Sequence, residues 1–564
     1  DGQLQVDENR VLTLRDLLAL WNEAKGSRFL ALAPGAWLAL TERLRQQLAD
    51  LQSLAETQDD ELRLPRAAAA WLAQVDDDGA PAGDAAWRKR LARLEEAAAL
   101  TATVPGALQA TLRPYQTEGF QWLARLAHAG FGAVLADDMG LGKTLQTLAL
   151  LLQRVGSGPA LVVAPTSVVA NWAEELQRFA PGLRALSYAD SERATALAGL
   201  GDGDVLLASY GLLLRDAEAF AALRWGTLVL DEAQALKNAA TQRAKAVAEL
   251  QADFRLALTG TPVENRLADL WSLMNLLNPG LLGSERRFAE RFGNPIERQQ
   301  DAPARQRLRR LVAPFILRRT KAQVLTDLPP RTETVWRVEP DADERALLEA
   351  LRRDATERVA AMPGPQRAFQ VLAELTRLRR AACDPRLVAP QRDRPGAKVL
   401  AFRQLAEDLA AAGHRALVFS QFTDFLDLLG AQLQDAGIAH QRLDGSTPAA
   451  ARAQRVAAFQ RGEGTVFLIS LKAGGFGLNL TAADYVVIAD PWWNPAAEDQ
   501  ASGRAHRIGQ QRPVTVYRLV TAGSVEERIV ALHHDKRALA ESLLDGQDGA
   551  APLDAEALLA LLRE

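Results

Sequence analysis

Between Asp137 and Thr144 the chain reads DDMGLGKT, two glycines, a lysine and a threonine in an order suited to holding a phosphate. Gly140 and Gly142 let successive backbone N–H groups turn toward an anion. The apolar run AVLA precedes this loop and the helical pattern LQTLALLLQ follows it, so a helix N-terminus adds its partial positive charge. Lys143 can reach β- and γ-phosphates, and the Thr144 hydroxyl can ligate Mg²⁺. Asp137 stands where many such loops carry their first glycine. Taken alone, a Gly-x-Gly-Lys-Thr turn is also compatible with simple helix capping. In a chain with 57 arginines and nine lysines, a lysine at this position favours the phosphate reading.

A second chemical feature is LVLDEAQ, Leu228 to Gln234. Acidic residues at the end of an apolar run place carboxylates at the carboxyl edge of a sheet, where ligands bind in open α/β folds. Asp231 can hold Mg²⁺ through water, and Glu232 can orient and deprotonate an attacking water. A lone Asp-Glu after a strand also fits a solvated turn; its position downstream of the phosphate loop selects the catalytic reading. A third is DQASGRAHRIGQ, Asp499 to Gln510, in which Arg504 and Arg507 are three apart and are expected on one helix face. Guanidinium groups of this kind stabilise the charge that gathers on a γ-phosphate in the transition state. If these arginines and Lys143 lie in different domains, hydrolysis requires the domains to close.

The elements that position these residues follow from the hydropathy pattern. Short apolar runs (FGAVLA, ALVVAP, DVLLAS, TLVLDE, FRLALTG) alternate with helical patterns between Phe131 and Gly260, the signature of a parallel sheet with crossover helices. The alternation returns with RALVFS, TVFLIS, YVVIAD and VTVYRLV between Arg415 and Val520. The intervening stretch is largely helical, with a linker expected around Leu328-Pro329-Pro330. Residues 1–105 show apolar spacings of three and four and a turn-rich joint from Asp76 to Asp84, so a helical accessory module is expected there. The fold class is α/β, with two parallel-sheet lobes, a helical insertion and a helical N-terminal module. The expected divisions are 1–105, 106–263 (first lobe), 264–397 (insertion and linker), 398–530 (second lobe) and 531–564 (C-terminal helical tail).

Composition bounds the alternatives. With 564 residues, 48% hydrophobic and 24% charged, the chain is expected to fold as several globular domains. No run approaches the ~18 apolar residues of a membrane span. One cysteine and six scattered histidines exclude a disulfide framework and a cysteine-rich zinc site, and favour an intracellular protein. There is no signal-peptide pattern, and a start at Asp1 is compatible with a piece of a longer chain. The net charge is only −4, which excludes a wholly basic nucleic-acid coat. Residues 1–105 hold 17 acidic and 12 basic side chains, so the acidity is concentrated there and a local basic groove elsewhere stays open. Arg305, Arg307, Arg309, Arg310, Arg318, Arg319 and Lys321 form one such basic stretch, which equally fits a solvated surface.

With these residues in order, the sequence resembles a SWI/SNF-type ATPase of helicase superfamily two, over roughly residues 108–535. LRPYQTEGFQWL resembles the adenine-recognising motif, DDMGLGKT the first helicase motif, VVAPTSVVANW the next, and LALTGTPVENRL the third. ALVFSQFTDFL, LDGST, SLKAGGFGLNLTAAD, DPWWNP and the arginine motif complete the set. The long stretch from Leu267 to Ala416, and DPWWNP followed by RAHRIGQ, separate this family from strand-separating relatives. Gln234 departs from the histidine most of the family carries.

The resemblance implies two RecA-like lobes and ATP with Mg²⁺ as cofactors. It puts Gln116, Asp138, Met139, Gly140, Leu141, Gly142, Lys143 and Thr144 at the nucleotide, and Thr144 and Asp231 at the metal. Lys143, Asp231, Glu232, Arg504 and Arg507 would be catalytic. Gln234, Thr259 and Thr261 would couple nucleotide state to domain closure. The implied partner is double-stranded DNA, tracked without strand separation, with Thr166, Ser167, Gln421, Gly445, Ser446, Lys472, Gly474 and Asn479 as phosphate contacts. RNA polymerase or other DNA-bound proteins stay open as further partners, and so do a polymerase-recycling role and a nucleotide-gated scaffold with little turnover. A bacterial, cytoplasmic, nucleoid-associated setting is expected.

Overall fold

The computed structural model describes residues 3–7, 10–24, 27–33, 36–42, 44–45, 48, 56–58, 61–63, 85–189, 197–260, 266–325, 327–360, 364–471 and 480–533. It separates into two compact units. One contains residues 1–136, 144–164 and 173–318; the other contains 137–143, 165–172 and 319–564.

The first unit begins with short antiparallel hairpins: β1 (Gln3–Asp7) with β2 (Arg10–Thr13), β3 (Phe29–Ala33) with β4 (Ala36–Ala39), and β5 (Glu56–Gln58) with β6 (Glu61–Arg63). The accessory module, expected to be helical, therefore also carries short hairpins. The helix Leu14–Glu23 forms as expected and buries Leu17, Leu18 and Trp21 against Leu30, Leu40 and Leu48. Ala36–Ala39, within the module expected to be helical, is a strand, because Leu38 and Ala39 pair back onto Leu30 and Phe29. The joint from Asp76 to Asp84 lies outside the described residues.

The main sheet of this unit has seven parallel strands: β7 (Ala133–Leu135), β8 (Ala160–Ala164), β9 (Arg184–Ser187), β10 (Asp204–Ser209), β11 (Arg224–Asp231), β12 (Gln251–Leu258) and β13 (Ile316–Leu317). Their order is β13-β7-β12-β11-β8-β10-β9. β8 and β10 are buried along their whole length, which is why they read as unbroken apolar runs. The order sets the carboxyl ends of β7, β12 and β11 side by side. The phosphate loop leaves β7, Thr259 follows β12, and Asp231 ends β11.

The sheet of the second unit has six parallel strands, β14 (Arg331–Val338), β15 (Ala416–Ser420), β16 (His440–Leu443), β17 (Val466–Ser470), β18 (Tyr485–Ile488) and β19 (Val514–Thr521), in the order β14-β19-β18-β15-β17-β16. Alternate residues feed opposite faces. Val418, Leu468, Val487 and Leu519 pack one core, and Leu417, Phe467, Val486 and Val516 pack another. The insertion, expected to be largely helical with a linker, also contributes two strands. Ile316–Leu317 joins the first sheet beside β7, and Arg331–Val338 pairs along its whole length with β19 in the second. The first compact unit ends at Arg318 and the second resumes at Arg319, inside the segment expected to be one insertion. Most of the expected C-terminal tail lies outside the described residues. No described helix is long and apolar enough to cross a membrane.

Candidate nucleotide site and its couplings

The phosphate loop is anchored by residues far away in sequence. Asp137, at the position where a glycine is common, is fully buried, and its carboxylate accepts from both Nε and Nη2 of Arg319, the former at 3.0 Å. Arg319 O in turn accepts from Asp138 N at 2.9 Å, and Asp138 Oδ2 accepts from Lys321 N at 2.9 Å. This accounts for the departure at Asp137: the carboxylate ties the loop entry to the segment 319–321. Lys143 Nζ donates to Asp137 O at 2.6 Å and to Asp138 O at 3.4 Å, so its ammonium caps the loop's own carbonyls. Gly140 has φ of +87°, and a Cβ there would lie 2.7 Å from Arg507 Cβ. Both the conformation and the space require glycine. Gln116, expected at the adenine, is buried, and its Oε1 accepts from Arg113 N at 2.9 Å, closing a capping box on the helix Pro114–Ala129.

At the end of β11, Asp231 Oδ1 accepts from Glu232 N at 2.8 Å, and Asp231 O accepts from the Tyr210 hydroxyl at 2.8 Å. Burial, with the charges of Asp231 and Glu232 nearby, raises the Tyr210 pKa, so the phenol stays a donor. Glu232 has φ of +49°, uncommon for a residue with a Cβ, which turns its side chain out of the strand direction. Glu232 Oε2 accepts from Gln234 Nε2 at 2.6 Å, and Gln234 Oε1 accepts from Thr259 Oγ1 at 2.9 Å. The carboxylate can only accept, so the amide nitrogen must face Glu232 and the oxygen Thr259. Thr259 N donates to Leu135 O at 3.2 Å. A hydrogen-bonded chain thus runs across the ends of β11, β12 and β7. Two of the three expected coupling residues meet in it; Thr261 lies outside the described residues.

The donor set fits a nucleotide with Mg²⁺. Thr144 stands in the first turn of the helix Lys143–Gln153 and Asp231 at the adjoining sheet edge. Among the described residues no group of three or more His, Cys, Asp or Glu could hold a metal by itself.

Arg504 and Arg507 are not on one helix face as expected. The helix Pro495–Ser502 ends at Gly503, and both arginines occupy the turn after it. Gln510 holds that turn: its Nε2 donates to Thr481 O, Ala483 O and Ala505 O, and its Oε1 accepts from Gln511 N and Arg512 N. Arg504 is buried, and Arg507 is the one beside Gly140. Lys321 Nζ donates to His506 O in the same turn. Burial pushes the Lys321 ammonium down to about 7 against the pull of Asp138, with Arg331, Arg507 and Lys143 adding to the depression.

Of the expected DNA contacts, Thr166 opens the helix Thr166–Phe179 and is exposed. Ser167 is the second residue of that helix. Gly445 and Ser446 form an exposed turn in which Ser446 N and Oγ donate to Asp444 Oδ1. Gln421 is half-buried at the end of β15, with its Oε1 accepting from Arg379. Lys472, Gly474 and Asn479 lie outside the described residues. Trp492 and Trp493 both flank the Arg379 guanidinium, with ring centroids 5.1 and 5.4 Å from its carbon. Sequence reading gave Arg319 and Lys321 only as members of a basic stretch and Gln510 only as the end of the arginine motif, and it passed over Arg379, because their partners are distant in sequence. Only the glycine missing at Asp137 pointed toward the first of them.

Residues 115–387 match the family model of the SNF2-related domain, and residues 397–509 match that of the helicase conserved C-terminal domain. The putative ATP-dependent helicase/translocase YwqA of Bacillus subtilis is 38% identical over 470 residues, 81% of this chain and 51% of that protein. The mouse chromodomain-helicase-DNA-binding protein 1-like is 38% identical over 459 residues, 77% of this chain and 50% of that protein. The solved Sulfolobus solfataricus SWI2/SNF2 ATPase core in complex with dsDNA is 36% identical, with 80% of this chain and 96% of that one covered and a TM-score of 0.41. The chain spans about half the length of the curated relatives it matches.

Proposed function

Because the chain belongs to the SNF2 family of helicase-related ATPases, we propose that it hydrolyses ATP to translocate on double-stranded DNA, displacing or remodelling bound proteins without separating the strands. The observation that carries the reading is the chain Glu232–Gln234–Thr259–Leu135, which links the proposed general base to the strand that feeds the phosphate loop.

In this reading Lys143 exchanges the carbonyls of Asp137 and Asp138 for β- and γ-phosphate oxygens, which are charged and stronger acceptors. The loop's backbone N–H groups and the N-terminus of the helix Lys143–Gln153 hold the rest of the triphosphate. Thr144 and Asp231 would hold Mg²⁺, which would supply positive charge against the phosphates. Glu232 takes the proton of the attacking water, with its carboxylate aimed by Gln234. Arg507 and Arg504 supply the guanidinium charge that the transition state needs. Any displacement of Thr259 is passed to Glu232 through a single amide, which ties hydrolysis to movement of the sheet edge.

Double-stranded DNA as the track is supported by the family, by the DNA binding in the mouse relative's name, and by the exposed positions of Thr166, Gly445 and Ser446. Such groups contact phosphates without reading sequence. The proposed setting is the bacterial cytoplasm, at the nucleoid. The test is ATP turnover with no nucleic acid, with duplex DNA and with single-stranded RNA, alongside triplex-displacement and fork-unwinding assays. Low basal turnover, at least about tenfold stimulation by duplex, triplex displacement and no unwinding are expected, a stimulation worth roughly 1.4 kcal/mol of barrier. Equal stimulation by RNA, or binding of ATP without turnover, sinks the reading.

A further inference from the structure

Arg379, in the helix Gly364–Cys383, is 1% exposed. Its Nη1 donates to Gln421 Oε1 at 2.6 Å, and its Nη2 donates to Pro491 O at 2.8 Å and Asp490 Oδ2 at 3.3 Å. Asp490, itself fully buried, accepts from Gln421 N at 3.1 Å. Phe422, Trp492 and Trp493 enclose the guanidinium, with ring centroids 5.1 to 5.4 Å from its carbon. One buried cation therefore ties a helix to the turns that leave two neighbouring strands, β15 and β18. For packing alone, a leucine or methionine in this aromatic setting would avoid the several kcal/mol of desolvation that a charge costs. What the guanidinium adds is a fork of fixed geometry, with one arm on the Gln421 amide.

That arm decides what Gln421 can offer. A glutamine carries one acceptor oxygen and two amide donors, and the two ends diverge from one planar carbon. With Oε1 held by Arg379, the NH₂ group of the half-buried side chain is the end left to donate to a further partner. A donor-only group suits an anionic oxygen. It cannot make the paired donor–acceptor contact by which glutamine reads adenine, since that contact needs the oxygen.

We infer that Arg379 is a positioning residue for Gln421, locking its amide as a sequence-blind donor to a DNA backbone phosphate; the inference rests on the duplex-translocase reading above. A motor that must step over every sequence needs contacts of this kind, and the buried Arg379–Asp490 pair keeps the amide from rotating into a base-reading orientation.

The test uses the full chain, duplexes of A·T-rich and G·C-rich sequence, and three variants: Gln421→Glu, Arg379→Lys and both together. Gln421→Glu keeps an oxygen on Arg379 and replaces the amide donors by an acceptor. It should leave the melting temperature unchanged or higher, weaken duplex binding about tenfold, and raise the duplex concentration giving half-maximal ATPase more than it lowers the maximum. Arg379→Lys keeps a charge beside Asp490 but loses the fork; binding should weaken about fivefold, and the double variant should bind no worse than Gln421→Glu alone. Wild type should bind the two duplexes within about twofold.

Multiplied losses in the double variant, or wild-type binding by either single variant, overturn the positioning role. A strong A·T or G·C preference in the wild type overturns the sequence-blind assignment. If Arg379→Lys does not fold, Gln421→Glu still decides whether the amide donors bind. A wild-type protein that neither binds duplex nor responds to it sinks the translocase reading instead.

Discussion

The side-chain amide of Gln234 donates to Glu232 Oε2 across 2.6 Å while its other end takes a hydrogen bond from Thr259. The position where this chain departs from the family's usual histidine is thus the middle of a relay, with both ends of the amide in use.

Replacing Gln234 by leucine removes both bonds and leaves the buried Thr259 hydroxyl without that acceptor. Nucleotide affinity should stay within about threefold, while duplex-stimulated kcat should fall by roughly 10- to 100-fold, the size of a lost transition-state interaction. Gln234→His should recover part of the loss. Equal loss of affinity and kcat in both variants would place Gln234 in nucleotide binding instead.

Arg319→Met leaves the fully buried Asp137 carboxylate without its guanidinium. A buried charge left in this way costs about 3–5 kcal/mol. Urea unfolding should show a loss of that order, and ATP binding should weaken because the loop entry is no longer held. Adding Asp137→Asn to Arg319→Met should restore much of the stability, since the uncompensated charge is then gone.

The depressed Lys321 pKa makes a pH prediction. In the folded chain the ammonium loses its proton near 7; in the unfolded chain it keeps it to 10.5. Between those values the unfolded state binds more protons, so this group's contribution to stability rises with pH. Below about 7 both states are protonated and the burial penalty is fully felt. From pH 7 to 9 the gain should be about 2–3 kcal/mol. In Lys321→Met that part of the slope should be missing from urea midpoints across the same range.

At Gly226 in β11, an added Cβ would lie 2.2 Å from Ser157 O, a backbone atom with no rotamer to relieve the contact. Gly226→Ala should destabilise the first unit by roughly 1–3 kcal/mol, as forced overpacking does. Differential scanning calorimetry would show a lowered transition, whereas an unchanged melt would mean the β8–β11 approach is looser than this geometry.

The central strands of both sheets were legible as apolar runs because parallel strands are covered on both faces. The four strands that escaped such reading, β13, β9, β14 and β16, are the edges of the two sheets. β14 is largely exposed, and β9 and β16 show no continuous burial, so nothing forces an apolar run there. The same limit applies to the N-terminal hairpins, where Ala36–Ala39 alternates between half-buried and exposed positions and carries no helix-breaking signal.

Sequence alone was sufficient for the phosphate loop, the Asp231–Glu232 pair, the arginine motif and the α/β class, because each is written in contiguous residues or in a local period. The tertiary structure decided the side-chain partners. Asp137 finds Arg319 across 182 positions, Arg379 finds Asp490 across 111 and Gln421 across 42. A hydrogen bond or buried ion pair depends on proximity in space, and strand order brings together residues whose separation along the chain leaves no periodic trace. The turn that carries Arg504 and Arg507 follows the same rule. Its residues are plain in the sequence, but its shape is set by Gln510 reaching three carbonyls, two of them more than twenty residues away.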